Sequence, residues 1–299
     1  VAAAVGPLVG GVELRDPGTL LATAPGRTTV VALCAPPERS AVLSAAAAAL
    51  AQARSTGLAV DPVVVRERCA DESEWRDVWK QFFRATRMGR RFVVRPSWDP
   101  VAVATGELII DLDPGRAFGT GAHPSTRLAV ALAEDVADAC AAGAAQRPHG
   151  GPLAIARFLD LGCGSGILSI AAARLWPGAT GLALDVDPEA TACSQENLER
   201  NDVKTVAVHT GTIEQPPSAR DGLAGLDRFD LIMANIQADV LLELAGRMAA
   251  RLRPRGYAIL SGILCSQADE LAGHYRRVGF ELKARRDEDE WSALLLVAP

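Results

Sequence analysis

From Arg157 onward the chain alternates without a break between short, almost continuously apolar runs and longer amphipathic ones. "RFLDLG", "TGLALDVD", "TVAVHTG", "FDLIMANI" and "YAILSGIL" have the length and composition of strands. "ILSIAAARLW", "PEATACSQENLER", "ADVLLELAGRMAARL" and "SQADELAGHYRRVG" carry helical periodicity. Two more strands follow, the last being "WSALLLVA". Strands without a polar face must be covered on both sides, so the pattern predicts an α/β fold: a doubly wound parallel sheet with helices on both faces. Sheets of this kind bind ligands beyond the carboxyl ends of the strands, where strand order reverses. The turn after the first strand is therefore where chemistry is expected.

That turn reads "LDLGCGSGILS". Gly162, Gly164 and Gly166 allow close backbone approach to a ligand and a tight entry into a helix starting near Ile167. Asp185, 23 residues after Gly162, ends the next strand and can accept hydrogen bonds from ribose hydroxyls. The spacing G-x-G-x-G behind the acidic Asp160 departs from the G-x-G-x-x-G of dinucleotide sites. A pyrophosphate disfavours a carboxylate at its helix N-terminus, whereas the ammonium and sulfonium of S-adenosylmethionine tolerate one, so that cofactor is favoured over NAD. The fourth strand ends at Asn235, beside the first strand in such a topology. Its amide oxygen and a neighbouring carbonyl could accept hydrogen bonds from an incoming amine and aim the nitrogen lone pair at the methyl carbon.

Upstream, residues 1–70 read as a small α/β unit, with "TTVVALCA" and "DPVVVRER" as strands and "SAVLSAAAAALAQAR" as a helix. Residues 71–112 read as a linker helix and connecting segment, and residues 113–299 as the large α/β domain. In the linker helix, Asp71 and Glu74 have capping-box spacing, and Trp75, Trp79, Phe82 and Phe83 share one face suited to burial. Between Val78 and Trp98 there are no acidic residues but Lys80, Arg84, Arg87, Arg90, Arg91 and Arg95 accumulate, a solvated basic hinge or a docking patch. "GAAQRPHGGP" reads as a surface turn.

The net charge of −5 implies no polyanion-binding surface, so direct nucleic-acid specificity is not expected. Six cysteines, none in a C-x-x-C pair, argue against a zinc site or a disulfide framework and fit a reducing cytoplasm. No apolar run reaches membrane-spanning length, and the opening "VAAAVGPLVGG" lacks the basic region of a leader, so a soluble cytoplasmic protein, monomeric by default, is expected.

"LDPGRAFGTGAHPSTRLAV", "FLDLGCGSGILSIAA", "ALDVDPEATACSQENLERN", "MANI" and "SGIL" together resemble the bacterial PrmA family, which methylates ribosomal protein L11. The resemblance runs from about Glu74 through Trp291. It implies an N-terminal substrate-recognition domain, a linker helix and a seven-stranded class I (Rossmann-like) methyltransferase domain that trimethylates amino groups, lysine and α-amino. It further implies that the glycine-rich block walls the cofactor pocket, with Thr126 contacting the cofactor alongside Gly162, Asp185 and Asn235. Phe118, Gly119 and Thr120 would lie near the methyl-transfer channel. From the residues alone, Ser125 or Thr126 could instead cap the following helix, and His123 has no acidic partner in view that would make it a base. Against the family pattern the N-terminal unit is short, and Thr212 stands where many methyltransferases carry an acidic residue near the adenine. Methylation of another protein or a small amine, and a non-catalytic adenosine-ligand module that docks on ribosomes, are the alternatives.

Overall fold

The computed structural model describes residues 12–15, 29–32, 34, 38–57, 64, 66, 84–99, 101–102, 104–113, 121, 123–143, 154–214 and 227–299. The linker helix with its aromatic stripe, most of the strand expected at "DPVVVRER" and most of the turn at "GAAQRPHGGP" lie outside them. The chain divides into two units, Val1–Ala70 and Asp71–Pro299. In the first, β1 (Val12–Arg15) pairs antiparallel with β2 (Thr29–Ala32), and the alanine-rich run forms α1 (Arg39–Ser55).

The second unit begins with a feature that the sequence did not announce. Within the expected connecting segment, β3 (Thr86–Met88), β4 (Phe92–Arg95) and β5 (Leu108–Asp111) form a three-stranded sheet. Its apolar residues Met88, Phe92, Val94 and Ile110 join the core beneath α2 (Pro124–Ala141). The hairpin between β3 and β4 is held by a buried carboxylate of α2: Glu134 accepts the backbone amides of Arg90 (2.8 Å) and Arg91 (2.8 Å). Arg90 also pairs with Asp135 and Asp138, Arg91 with Asp138, Arg87 with Glu107, and Arg95 with Asp111. The basic stretch is thus largely neutralised within the fold, which removes the main support for a nucleic-acid docking patch. Lys80 lies outside the described residues.

The large sheet contains β6 (Arg157–Leu161), β7 (Thr180–Asp185), β8 (Val206–Thr210), β9 (Phe229–Asn235), β10 (Leu252–Leu264), β11 (Glu281–Glu288) and β12 (Trp291–Val297). Their spatial order is β11-β12-β10-β9-β6-β7-β8. Neighbours from β10 across to β8 are parallel, while β12 runs antiparallel to both β10 and β11. The expected doubly wound parallel sheet is present, and β12 alone runs against it. Only Asp289 and Glu290 separate β11 from β12, and so short a connection can join only antiparallel strands.

Alternate residues of each strand enter opposite layers. Phe158, Leu231, Met233, Ile259 and Leu295 pack with α2, α3 (Ile167–Leu175) and α4 (Pro188–Arg200). Leu159, Leu182, Ile232, Leu260 and Leu294 pack with α5 (Ala238–Arg251) and α6 (Ala268–Arg277). Burial on both faces explains why these strands lack polar alternation. The chain leaves β6 toward β7 on one side and reaches β9 on the other, so strand order reverses between β6 and β9.

Candidate active site

The turn after β6 needs backbone that only glycine adopts without strain. Gly162, Gly164 and Gly166 have φ of 74°, 53° and 78°, and Gly166 is the N-cap of α3. Leu184 O, at the end of β7, accepts the amides of Gly162 (2.8 Å) and Cys163 (3.0 Å), fastening the loop to the neighbouring strand. A Cβ on Gly162 would lie 2.3 Å from Ile236 Cγ2, so the loop also lies hard against the end of β9. From α4, the Ser194 hydroxyl donates to Gly164 O (2.9 Å) and Asn197 Nδ2 to Ser165 O (2.9 Å).

Both carboxylates sit at this turn, in different surroundings. Asp185 is half-buried and accepts the amides of Gly164 (2.9 Å) and Asp187 (3.0 Å), one on each oxygen. Asp160 is fully buried on β6. Its Oδ2 accepts the amide (2.9 Å) and hydroxyl (2.7 Å) of Ser169, and its Oδ1 has no partner. Burial pushes its pKa up to about 6, opposed by the Ser169 hydrogen bonds and reinforced by the charge of Asp185.

At the end of β9, Asn235 Nδ2 donates to Thr126 Oγ1 at 3.2 Å, while Asn235 Oδ1 has no partner. Thr126 is buried in the first turn of α2. The cap of that helix is neither Ser125 nor Thr126 but His123, whose Nδ1 accepts the Ser125 amide (3.3 Å) and meets the Ser125 hydroxyl (2.8 Å). The His123 ring also lies edge-on to Trp291, with centroids 4.6 Å apart. Pro124 lacks an amide hydrogen and suits the first helical position, which leaves the residue before it as the cap. Of the glycine-rich block, Gly121 (φ 80°) is described, and a Cβ there would lie 3.0 Å from Ile167 Cδ1, so this block reaches the start of α3. Phe118, Gly119 and Thr120 lie outside the described residues.

The structure thus brings Asp160, Gly162, Gly164, Gly166 and Asp185 together around one turn, with Gly164 bonded to Asp185 and Gly162 to Leu184, and pairs Thr126 with Asn235 beside it, where Ile236 covers Gly162. Among the described residues, Asp160 Oδ1 and Asn235 Oδ1 are the two buried side-chain polar atoms with no partner. They sit on the adjacent strands that flank the reversal of order. Buried oxygens are ordinarily satisfied, so this pair is evidence that the site is shaped for hydrogen-bond donors brought by a ligand. Sequence reasoning missed Val186, 71% exposed beside Asp185, and Ser194 beneath the loop. The signal for Val186 was an apolar residue just past the end of a buried strand; nothing local marked Ser194. Thr212 is half-buried after β8. Among the described residues, no cluster of His, Cys, Asp or Glu could hold a metal ion, and no helix is long and apolar enough to cross a membrane.

The family model "Ribosomal protein L11 methyltransferase (PrmA)" matches residues 67–298. A ribosomal protein L11 methyltransferase of Geotalea uraniireducens is 38% identical over 225 residues, which cover 75% of this chain and 67% of that relative. One from Geobacter sp. strain M21 is 40% identical over 240 residues, covering 80% and 70%. Among solved structures, the ribosomal protein L11 methylase of Lactobacillus delbrueckii subsp. bulgaricus superposes with a TM-score of 0.58 at 29% identity, covering 72% of this chain and 98% of that one.

Proposed function

The chain belongs to the ribosomal protein L11 methyltransferase (PrmA) family, and from that premise we propose that it transfers methyl groups from S-adenosylmethionine to lysine and α-amino groups of ribosomal protein L11. It is an S-adenosylmethionine-dependent methyltransferase with the class I sheet order. The observation that carries the site reading is the pair of unpartnered oxygens, Asp160 Oδ1 and Asn235 Oδ1, on either side of the glycine loop.

The residues at hand suit the cofactor. Asp185 retains lone pairs for ribose hydroxyls after accepting its two backbone amides. Exposed Val186 beside it offers an apolar surface to an aromatic base. The glycine loop leaves room for close approach, and the buried Asp160 carboxyl favours a cationic neighbour. When bound, S-adenosylmethionine supplies an electrophilic methyl group on a cationic sulfur that leaves as a neutral thioether.

With so good a leaving group, the protein's task is positioning. Asn235 Oδ1 accepts an N–H of an amine that arrives unprotonated, and the Thr126 hydroxyl holds the opposite end of the amide, so the nitrogen lone pair is aimed at the methyl carbon. Thr126 would contact the cofactor, and Phe118, Gly119 and Thr120 would lie near the methyl-transfer channel. We assign substrate recognition to residues 1–70 and the transfer chemistry to residues 113–299. A cytoplasmic location follows from a ribosomal substrate.

The test is direct. Purified chain, methyl-labelled cofactor and isolated L11 should give label on L11, and peptide mass spectrometry should place it on lysine and α-amino nitrogens. Cofactor binding without transfer to L11 would leave the fold and remove the substrate.

A further inference from the structure

At the carboxyl edge of β10 the strand does something irregular. Its register with β12 shifts between Leu260 and Ile263, and Gly262 within that bulge has φ of 79°. Bulges beside active sites commonly re-aim a side chain. Here the side chain is Ser261, fully buried, which reaches out of the sheet and donates its hydroxyl to Ser125 O in the first turn of α2 at 2.8 Å. The Ser261 backbone meanwhile stays in register with Asn235 on β9, and its carbonyl accepts the Ile236 amide at 3.1 Å.

We propose that Ser261 is a positioning residue for methyl transfer: its hydroxyl pins the start of α2 so that Thr126 holds the Asn235 amide with Oδ1 turned toward the acceptor. This rests on the reading that Asn235 receives the amine. The contacts close a ring, from Asn235 to Thr126, along the helix to Ser125, across to Ser261 and back through the β9–β10 ladder. The His123 cap already satisfies the Ser125, Thr126 and Arg127 amides, so what the Ser261 hydroxyl adds is a second tie, beside Asn235–Thr126, between this helical turn and the β9–β10 edge. Gly262 completes the device by what it lacks: a Cβ there would lie 3.0 Å from Asn235 Oδ1 and 2.8 Å from Ile236 O. Its absence leaves the buried oxygen uncrowded on that side.

The test is a double-mutant cycle read by single-turnover methyl transfer to L11, beside titration with S-adenosylhomocysteine and a melting curve for each variant. Ser261→Ala should slow transfer about tenfold, as expected for a small loss of alignment, and leave affinity for S-adenosylhomocysteine within about threefold, because the cofactor loop is fastened independently through Leu184. Ser261→Thr keeps the hydroxyl and should retain most of the rate; a folded threonine variant as slow as the alanine one would overturn the proposal. In an Asn235→Ala background, Ser261→Ala should change the rate less than about twofold, since the residue it acts through is gone. Equal slowing in both backgrounds would make Ser261 merely structural, and full speed in the single variant would also overturn the idea. A failure of the functional reading shows separately, in wild-type chain that binds S-adenosylhomocysteine but methylates no L11.

Discussion

Asn235 and Thr126, 109 residues apart in sequence, meet side chain to side chain at 3.2 Å, and the contact engages only the amide nitrogen of Asn235. The oxygen of the same amide is buried without a partner. One end is anchored and the other is left unsatisfied.

Under the role proposed for Asn235, binding and chemistry separate. Asn235→Ala is expected to leave affinity for S-adenosylhomocysteine within a few-fold while lowering methyl transfer by about two orders of magnitude, roughly 2.7 kcal/mol of lost positioning. Single-turnover rates at saturating cofactor, compared with direct titration, check it. If rate and affinity fall together, Asn235 contacts the cofactor itself, as expected of an interaction shared by ground and transition states.

Asp185 should show the opposite balance. Its replacement by Ala should weaken cofactor binding by about 1.5 to 3 kcal/mol, the range for losing hydrogen bonds to a charged group. Isothermal titration with S-adenosylhomocysteine measures this directly. Part of the loss will come through the loop, because Asp185 also holds the Gly164 amide; Asp185→Asn retains an acceptor for it and should lose less.

Asp160 sets a pH dependence whose sign follows from its burial. The folded protein holds this carboxyl at about 6 against 3.8 for the free group, so between those values it binds a proton that the unfolded chain does not. The corresponding stability is fully present below the unfolded value and is lost as pH rises through about 6, amounting to about 3 kcal/mol. Denaturant midpoints of the ligand-free protein should therefore fall from pH 4 to pH 6.5 more steeply in wild type than in Asp160→Asn. A cationic ligand group favours the ionised form, so affinity for S-adenosylhomocysteine should rise over the same window. A pH-independent affinity would place the ammonium elsewhere.

Gly162 is constrained twice, by its φ of 74° and by Ile236 Cγ2, 2.3 Å from where a Cβ would stand. Gly162→Ala should cost roughly 2 to 4 kcal/mol, combining left-handed strain and overpacking. Ile236→Ala added to it should restore the packing share but not the backbone share. Thermal melts of the two single variants and the double variant resolve the shares; a Gly162→Ala melt equal to wild type would mean that the loop relaxes freely.

Much of this molecule could be read from short stretches of sequence. Fully apolar strands alternating with amphipathic helices permit little besides a sheet covered on both faces, and a glycine turn entering a helix after the first such strand marks the ligand edge. Gly162, Gly164, Gly166 and Asp185 were legible for that reason, since each is governed by its own strand end or turn. Asn235 was legible only with the topology in hand, because its place beside β6 depends on strand order.

The tertiary structure decided what depends on partners distant in sequence. Whether the arginines after residue 84 form a docking surface is invisible locally; Arg90 and Arg91 are engaged by carboxylates of α2 more than 40 residues away, Arg87 by Glu107 and Arg95 by Asp111. Charge runs are drawn to water by default, and only packing supplies the opposing row. The reversal of β12, the capping of α2 by His123 and the grip of Ser261 on that helix likewise come from neighbours that the fold brings together. The sequence by itself determined the layers and the glycine turn at the carboxyl edge of the sheet, because burial and periodicity are local properties. The tertiary structure alone decided which oxygens remain unsatisfied at that edge, because satisfaction of a polar atom depends on every chain segment that reaches it.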